Sequence, residues 1–101
     1  MSAININQEN FRKEVLESDK KVLLDFWASW CGPCRMVLPI VEQIAEERSD
    51  IKVCKINVDE EPELANTFRI MSIPTLVVME DGQEKNRALG ARPKEAVLEL
   101  L

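Results

Sequence analysis

The chain has 101 residues, 46% of them hydrophobic, which is enough to bury the core of one small domain without a metal or a disulfide scaffold. We therefore expect residues 1–101 to form a single domain. The 13 Lys and Arg residues against 18 Asp and Glu residues give a net charge of −5, which disfavours nucleic acid and anionic membranes as main partners.

The first predicted elements are a short strand, a helix and a buried strand. A short edge strand is predicted at residues 3–6, and Asn7 is suited to cap a helix that ends near Asp19. Residues 21–28 are apolar at both alternating sets of positions. This pattern predicts a central strand that is covered on both faces.

A long helix is predicted from Cys34 to Arg48, because apolar residues recur there at steps of three and four. Pro39 lies inside it. A proline removes one backbone hydrogen bond and crowds the preceding turn, so we expect a kink between Arg35 and Pro39. The apolar stripe continues beyond the proline, which favours a kinked helix over two separate ones.

The second half of the chain predicts a buried strand, a short helix, a hairpin and a final helix. Asp81-Gly82 is a strong signal for the hairpin turn. The predicted bounds are 51–59 and 75–80 for the strands, 62–68 for the short helix, 83–90 for the edge strand and 92–101 for the last helix, which opens at Pro93. Together these elements predict an α/β fold with a central mixed β-sheet of about five strands flanked by about four helices.

Cys31 and Cys34 could bind a metal, cross-link the fold or carry electrons. Structural zinc takes four Cys or His ligands, and this chain has no His and three Cys, so no metal is expected. Cys31 falls at the junction of strand and helix, where free backbone N–H groups and the helix dipole favour a thiolate. Cys34 follows one helical turn later, so the two side chains can meet. A pair of inert buried cysteines remains the alternative.

The residues between the two cysteines suit a redox role. Gly32 permits a close approach of the backbone, and Pro33 fixes one torsion and fits the first turn of a helix.

We expect a cytoplasmic protein, since no apolar run nears the roughly 20 residues that cross a bilayer and residues 1–15 lack a secretory pattern. Stable structural disulfides are rare in that compartment.

The segment "WCGPC" at 30–34, with "DFWA" before it and "IPT" at 73–75, resembles the thioredoxin family. The segments "KINVDEEPELA", Asp81-Gly82 and "LGA" fall in the order that this family requires, so the resemblance covers essentially the whole chain. It implies the thioredoxin fold and a protein-disulfide reductase that is recycled by a thioredoxin reductase. Because the chain has no glycine-rich dinucleotide motif, no bound cofactor is expected and NADPH and flavin belong to the reductase.

The resemblance also implies a role for each residue of the catalytic group. Cys31 attacks a substrate disulfide, and Cys34 resolves the mixed disulfide that forms. Asp25 lies in an apolar stretch where burial should raise its pKa, and it is assigned as the general base for Cys34. A structural ion pair between Asp25 and Lys55 is the alternative, and the two can coexist.

A flat apolar docking surface around Cys31 is implied as well. Pro74 is expected to be cis and to face the cysteines, and Ile73 to offer backbone hydrogen bonds to substrate. Trp30, Gly90 and Ala91 should line this surface, although Leu89 and Ala91 could each be ordinary core. Trp27 is expected to pack beneath it, and Cys54 to be an inert core thiol.

The sequence departs from the commonest family pattern at Arg35, where lysine is frequent, and at Met71-Ser72, where a glycine often precedes "IP". A disulfide isomerase or oxidase is a second interpretation, but such proteins tend to have a His between the cysteines and this chain has Pro33. A non-catalytic binding module with the same fold is a third, which the intact cysteine pair opposes. We expect a monomer whose partners are disulfide-containing proteins and the reductase.

Overall fold

The structure, a computed structural model, describes residues 2–101. Within that range the chain forms five strands, β1 (Ile4–Asn5), β2 (Lys21–Trp27), β3 (Ile51–Asn57), β4 (Thr75–Glu80) and β5 (Gln83–Leu89). The same range holds the helices α1 (Gly32–Glu47), α2 (Pro62–Thr67) and α3 (Lys94–Leu98), and a π-helical segment at Arg12–Leu16.

The strands form one sheet in the order β1-β3-β2-β4-β5. β1, β3 and β2 run parallel, and β4 is antiparallel to both β2 and β5. The predicted mixed sheet with flanking helices is therefore confirmed. This topology makes β2 the central strand of the sheet, and the cysteine segment follows directly from its end.

Both faces of β2 are buried, as its double apolar pattern predicts. Phe26 and Leu24 pack with Phe68 and the side chains of the π-helical segment on one face. On the other face Leu23 packs with Val37 and further side chains of α1. Since alternate residues of a strand share a face, Asp25 and Trp27 lie on the side that α1 covers.

Helix α1 runs without interruption through Pro39, which confirms that the proline does not end it. Its buried side chains are Cys34, Val37, Val41, Ile44 and Ala45, spaced at three and four residues. This apolar stripe holds the helix on the sheet on both sides of the proline. The cysteine end of α1 is thereby fixed above the end of β2.

Two predicted helices are shorter in the structure. Asn7 caps a turn, since its Oδ1 accepts the N–H groups of Glu9 and Asn10, and the regular π-helical segment begins only at Arg12. The last helix covers Lys94–Leu98 instead of residues 92–101. The hairpin turn is as predicted, with both Asp81 and Gly82 at positive φ. Among the helices of residues 2–101, none has the length and apolar character needed to cross a membrane.

Candidate active site

The two cysteines form a disulfide at the start of α1. β2 ends at Trp27, and a tight turn follows in which the N–H of Cys31 donates to the carbonyl oxygen of Ala28 at 3.2 Å. Cys31 is then the N-cap residue of α1, and its Cα lies 5.3 Å from that of Cys34. The redox pair therefore sits at the junction that the sequence predicts.

The start of the helix directs positive potential at Cys31. The N–H of Cys34 points at the Cys31 sulfur, with nitrogen and Sγ 3.2 Å apart. Pro33 occupies the first turn, where it has no N–H to leave unpaired. A negative charge on the Cys31 sulfur is favoured both by that N–H group and by the helix dipole. The geometry thus suits Cys31 as the thiolate when the disulfide is reduced.

The two cysteines differ in their access to solvent. Cys31 is 4% exposed and Cys34 is 1% exposed, so the sulfur that a substrate can reach is that of Cys31. Ala28 packs against both, with Trp27, Val58 and Ile73 at the edge of this small cluster. Cys34 is enclosed and suited to an internal second attack.

Asp25 is fully buried on the face of β2 that α1 covers. Neither of its carboxyl oxygens has a hydrogen-bond partner among residues 2–101. Burial raises the pKa of Asp25 from 3.8 to about 7, and the positive charge of Lys55 opposes this rise. A carboxyl group with a pKa near 7 can exchange a proton near neutral pH, which is what a general base for a thiol requires.

The alternative role considered for Asp25, a structural ion pair with Lys55, is contradicted by the structure. The two residues are neighbours in the register of β2 and β3, but the Lys55 ammonium donates to Oε2 of Glu42 at 2.9 Å. Glu42 projects from α1 and is half-buried. The long lysine side chain reaches this more hydrated carboxylate, and Asp25 is left unpaired among the described residues.

The loop before β4 lies beside the disulfide. The Ile73–Pro74 peptide bond is cis, as the family resemblance implied. The carbonyl oxygen of Ile73 is 3.7 Å from the Cys31 sulfur. The N–H of Gly90 donates to the carbonyl oxygen of Pro74 at 2.8 Å, which holds the end of β5 against the same loop. Ile73, Pro74 and Gly90 are therefore brought together with Cys31.

Trp30 lies at one side of the disulfide with 66% of its surface exposed. Its indole N–H donates to Oδ2 of Asp59 at 2.7 Å. Next to it is an apolar groove of about 310 Å³. The groove is lined by Trp30, Val58, Ala65, Ile70, Met71, Ser72 and Ile73. Trp30 and Ile73 thus share one surface beside Cys31.

Ala91 belongs to a different groove. Ala91 is exposed, and with Met36, Ile40, Arg92 and Pro93 it lines a volume of about 280 Å³. Leu89 is 58% exposed, so neither Leu89 nor Ala91 is a core residue. Trp27 is half-buried at the cysteine cluster, and its indole N–H has no partner within the described chain.

Cys54 lies in β3 and is fully buried. Burial raises the pKa of its thiol to about 12, so very little thiolate forms at neutral pH. Both properties agree with the predicted inert core thiol.

Two residues that make hydrogen bonds at the site, Asp59 and Glu42, were not predicted from the sequence. Asp59 comes after the end of β3, and Trp30 comes after the end of β2. Neighbouring parallel strands end at the same edge of a sheet, so the strand order indicates that these two residues lie near each other. Glu42 had no such signal, since it looks like one of several acidic residues on the solvent side of a helix.

Comparison with known proteins relates the whole chain to one family. The family model described as "Thioredoxin" matches residues 2–101. Over 98 residues the chain is 49% identical to "Thioredoxin" of Mycobacterium tuberculosis (strain ATCC 25618 / H37Rv), with 96% of this chain and 84% of that protein covered. Over 100 residues it is 49% identical to "Thioredoxin 1" of Synechococcus elongatus, with 98% and 94% covered. It is also 47% identical over 96 residues to "Bifunctional thioredoxin reductase/thioredoxin" of Mycobacterium leprae, with 94% of this chain and 21% of that protein covered.

Proposed function

The chain belongs to the thioredoxin family, and from this premise we propose that it reduces disulfide bonds in other proteins and is recycled by a thioredoxin reductase. It is a thiol–disulfide oxidoreductase that exchanges between the dithiol and disulfide forms of Cys31 and Cys34. The observation that carries the proposal is the disulfide at the start of α1, where the N–H of Cys34 points at the Cys31 sulfur.

In the first step the Cys31 thiolate attacks one sulfur of a substrate disulfide. The substrate S–S bond breaks, a mixed disulfide forms between substrate and Cys31, and the other substrate sulfur leaves as a thiolate. The exposed side of Cys31, between Trp30 and Ile73, is the surface on which the substrate segment lies. Pro74 shapes this surface, and Gly32 with Pro33 holds the Cys31 sulfur at the helix start.

In the second step Asp25 takes the proton of Cys34 as general base. The Cys34 thiolate attacks the Cys31 sulfur, the mixed disulfide breaks, and the second substrate sulfur leaves as a thiolate. The substrate has then gained two electrons and its two sulfurs take up two protons. The protein has lost two electrons and holds the Cys31–Cys34 disulfide described above.

Return to the dithiol requires a donor of two electrons, and we assign this role to a thioredoxin reductase that uses NADPH. One relative at 47% identity is named "Bifunctional thioredoxin reductase/thioredoxin", so in that protein the two activities belong to one chain. This supports a reductase as the partner here. The apolar grooves beside Trp30 and Ala91, which flank the disulfide segment, are surfaces on which substrates and the reductase can dock.

We also propose that residues 1–101 act as a single domain and as a monomer in the cytoplasm. The family match over residues 2–101 supports the single domain. A cytoplasmic location would place the protein where NADPH, the electron source of the proposed reductase, is available.

Insulin reduction tests the proposed function. The protein should accelerate the precipitation of insulin chains by dithiothreitol, and it should also do so with NADPH and a bacterial thioredoxin reductase in place of dithiothreitol. A Cys31→Ser variant is the matched control and should be inactive in both assays. Failure in both assays would contradict the reductase function, and activity with dithiothreitol alone would contradict the assigned partner.

A further inference from the structure

Lys55 lies where an ion pair with Asp25 would be expected. The two residues face each other in the register of the parallel strands β2 and β3, and such partners project from the same face of a sheet. Asp25 is fully buried and its oxygens have no hydrogen-bond partner within residues 2–101. An ammonium group one strand away would normally pair with such a carboxylate.

The Lys55 ammonium is bonded to Glu42 and not to Asp25. Oε2 of Glu42 accepts a hydrogen bond from Lys55 Nζ at 2.9 Å, and Oε1 accepts the backbone N–H of Ala3 at 2.9 Å. The carboxylate is therefore held from two directions, by β3 and by the segment that leads into β1. The side chain of Lys55 is 18% exposed and that of Glu42 is 35% exposed, so this pair lies closer to water than Asp25 does.

The charge of Glu42 persists over the pH range in which Asp25 titrates. The hydrogen bonds from Ala3 and from Lys55 lower the pKa of Glu42 below its ordinary value of 4.5. Glu42 thus stays ionised near pH 7 and continues to hold Lys55.

We propose that Glu42 is a positioning residue that keeps the Lys55 ammonium from pairing with the Asp25 carboxyl. In this way Glu42 sets the pH at which Asp25 releases its proton. The inference rests on the proposed function, where Asp25 is the base for Cys34. Without Glu42 the ammonium is free to turn towards Asp25. A positive charge closer to the Asp25 carboxylate stabilises its ionised form.

Among the charged groups on the elements that pack around Asp25, Lys55 is the cation that acts on its carboxyl group. On β4 the register partner of Asp25 is the apolar Leu76. Helix α1 contributes Cys34 and Glu42 to this side of the sheet, and α3 packs there through Val97. Lys94 of α3 is engaged elsewhere, since it donates to Glu47 at 2.6 Å.

A carbon-detected NMR titration of the Asp25 carboxyl in the full chain tests the inference. In Glu42→Gln the midpoint should fall by about one pH unit, because Lys55 can then approach the Asp25 carboxylate. In a Lys55→Met background the same Glu42→Gln change should move the midpoint by less than about half as much, since there is no ammonium to reposition. An unchanged midpoint in Glu42→Gln, or equal movement in both backgrounds, would overturn the proposal.

Glu47→Gln is the matched control, because Glu47 is also a carboxylate on α1 bonded to a lysine. Glu47→Gln should leave the midpoint of the Asp25 titration unchanged. If the midpoint fell as far as it does in Glu42→Gln, the loss of one negative charge anywhere on the helix would explain both results, and the inference would be overturned. The titration is independent of turnover. If Asp25→Asn kept full insulin reduction, the role of Asp25 as base would fail, while the midpoints would still decide the role of Glu42.

Discussion

Trp30 and Asp59 are joined by a hydrogen bond of 2.7 Å from the indole N–H to a carboxylate oxygen. Trp30 follows β2 and Asp59 follows β3, so the bond links the segments that leave two neighbouring parallel strands. It holds an indole that is 66% exposed beside the groove that also contains Ile73. One wall of the proposed substrate surface is thus kept in place by a residue that does not touch the sulfurs.

Removing this bond should weaken substrate docking. In Asp59→Ala the indole is free to move, and kcat/KM for insulin reduction should fall about two- to fivefold, the effect of losing one partly exposed hydrogen bond. Glu60→Ala removes a neighbouring exposed carboxylate and should have no such effect. An equal loss in both variants would mean that net charge, and not the Trp30 contact, is responsible.

Cys34→Ser should trap the first intermediate. Cys31 can still attack a substrate disulfide, but the serine hydroxyl does not displace the substrate, so a mixed disulfide accumulates. Mass spectrometry of the non-reduced mixture should show one insulin chain bound through Cys31. Cys54 should stay unmodified, because burial keeps its thiol protonated. If the adduct formed through Cys54, or did not form, the assigned order of attack would be contradicted.

Asp25→Asn should slow the second step. An amide does not accept the Cys34 proton, so release of the mixed disulfide at pH 7 should be about 100-fold slower, while the first attack by Cys31 remains fast. Stopped-flow measurement of both phases distinguishes the two steps. Asp50→Asn, which changes a carboxylate paired with Arg48 away from the site, should leave both phases intact. Normal release in Asp25→Asn would remove Asp25 from the mechanism.

Asp25 should also make stability depend on pH. Burial raises its pKa from 3.8 to about 7, so the folded state binds this proton more tightly than the unfolded state does. Stability due to protonated Asp25 is therefore present at low pH and is lost as the pH rises from roughly 4 to about 7. Between pH 5 and pH 8 the free energy of unfolding of the oxidised protein should fall by about 2–3 kcal/mol through this group.

Urea unfolding at pH 5 and at pH 8 measures this change in the free energy of unfolding. Asp25→Asn should lack this part of the pH dependence and should be the more stable protein at pH 8. Asp50→Asn should behave as the unmodified chain does, because the Arg48 hydrogen bond holds the pKa of Asp50 at about 2, outside this range. A parallel pH dependence in the unmodified chain and in Asp25→Asn would contradict the raised pKa.

The main elements of the fold could be predicted because local pattern and tertiary packing agree. The spacing of Val37, Val41 and Ile44 predicts the face of α1 that the structure buries, and this face carries the helix through Pro39. Asp81 and Gly82 predict the turn because both adopt the positive φ that this hairpin needs. The first helix was less predictable, since Asn7 can cap either a helix or the turn that it caps here.

The centre of the site could be predicted from Cys31 and Cys34, whose chemistry depends on a local feature, the start of a helix. The hydrogen-bond partners of Lys55 and Trp30 depend instead on distances between separate elements. Lys55 has a long side chain and two carboxylates within reach of its strand, and the choice of Glu42 follows from how α1 crosses β3. No spacing in the sequence encodes that crossing.

The small exposed area of Cys31, 4% of the residue, restricts which bonds the protein can open. Because the Cys31 sulfur is almost completely buried, a substrate segment must protrude or bend far enough for its own sulfur to contact it. Disulfides held inside rigid, well-packed domains do not meet this requirement, whereas those in frayed termini, loose loops and half-folded chains do. We therefore expect that, if the chain reduces protein disulfides as proposed, it selects targets by their local flexibility and needs no shared recognition sequence.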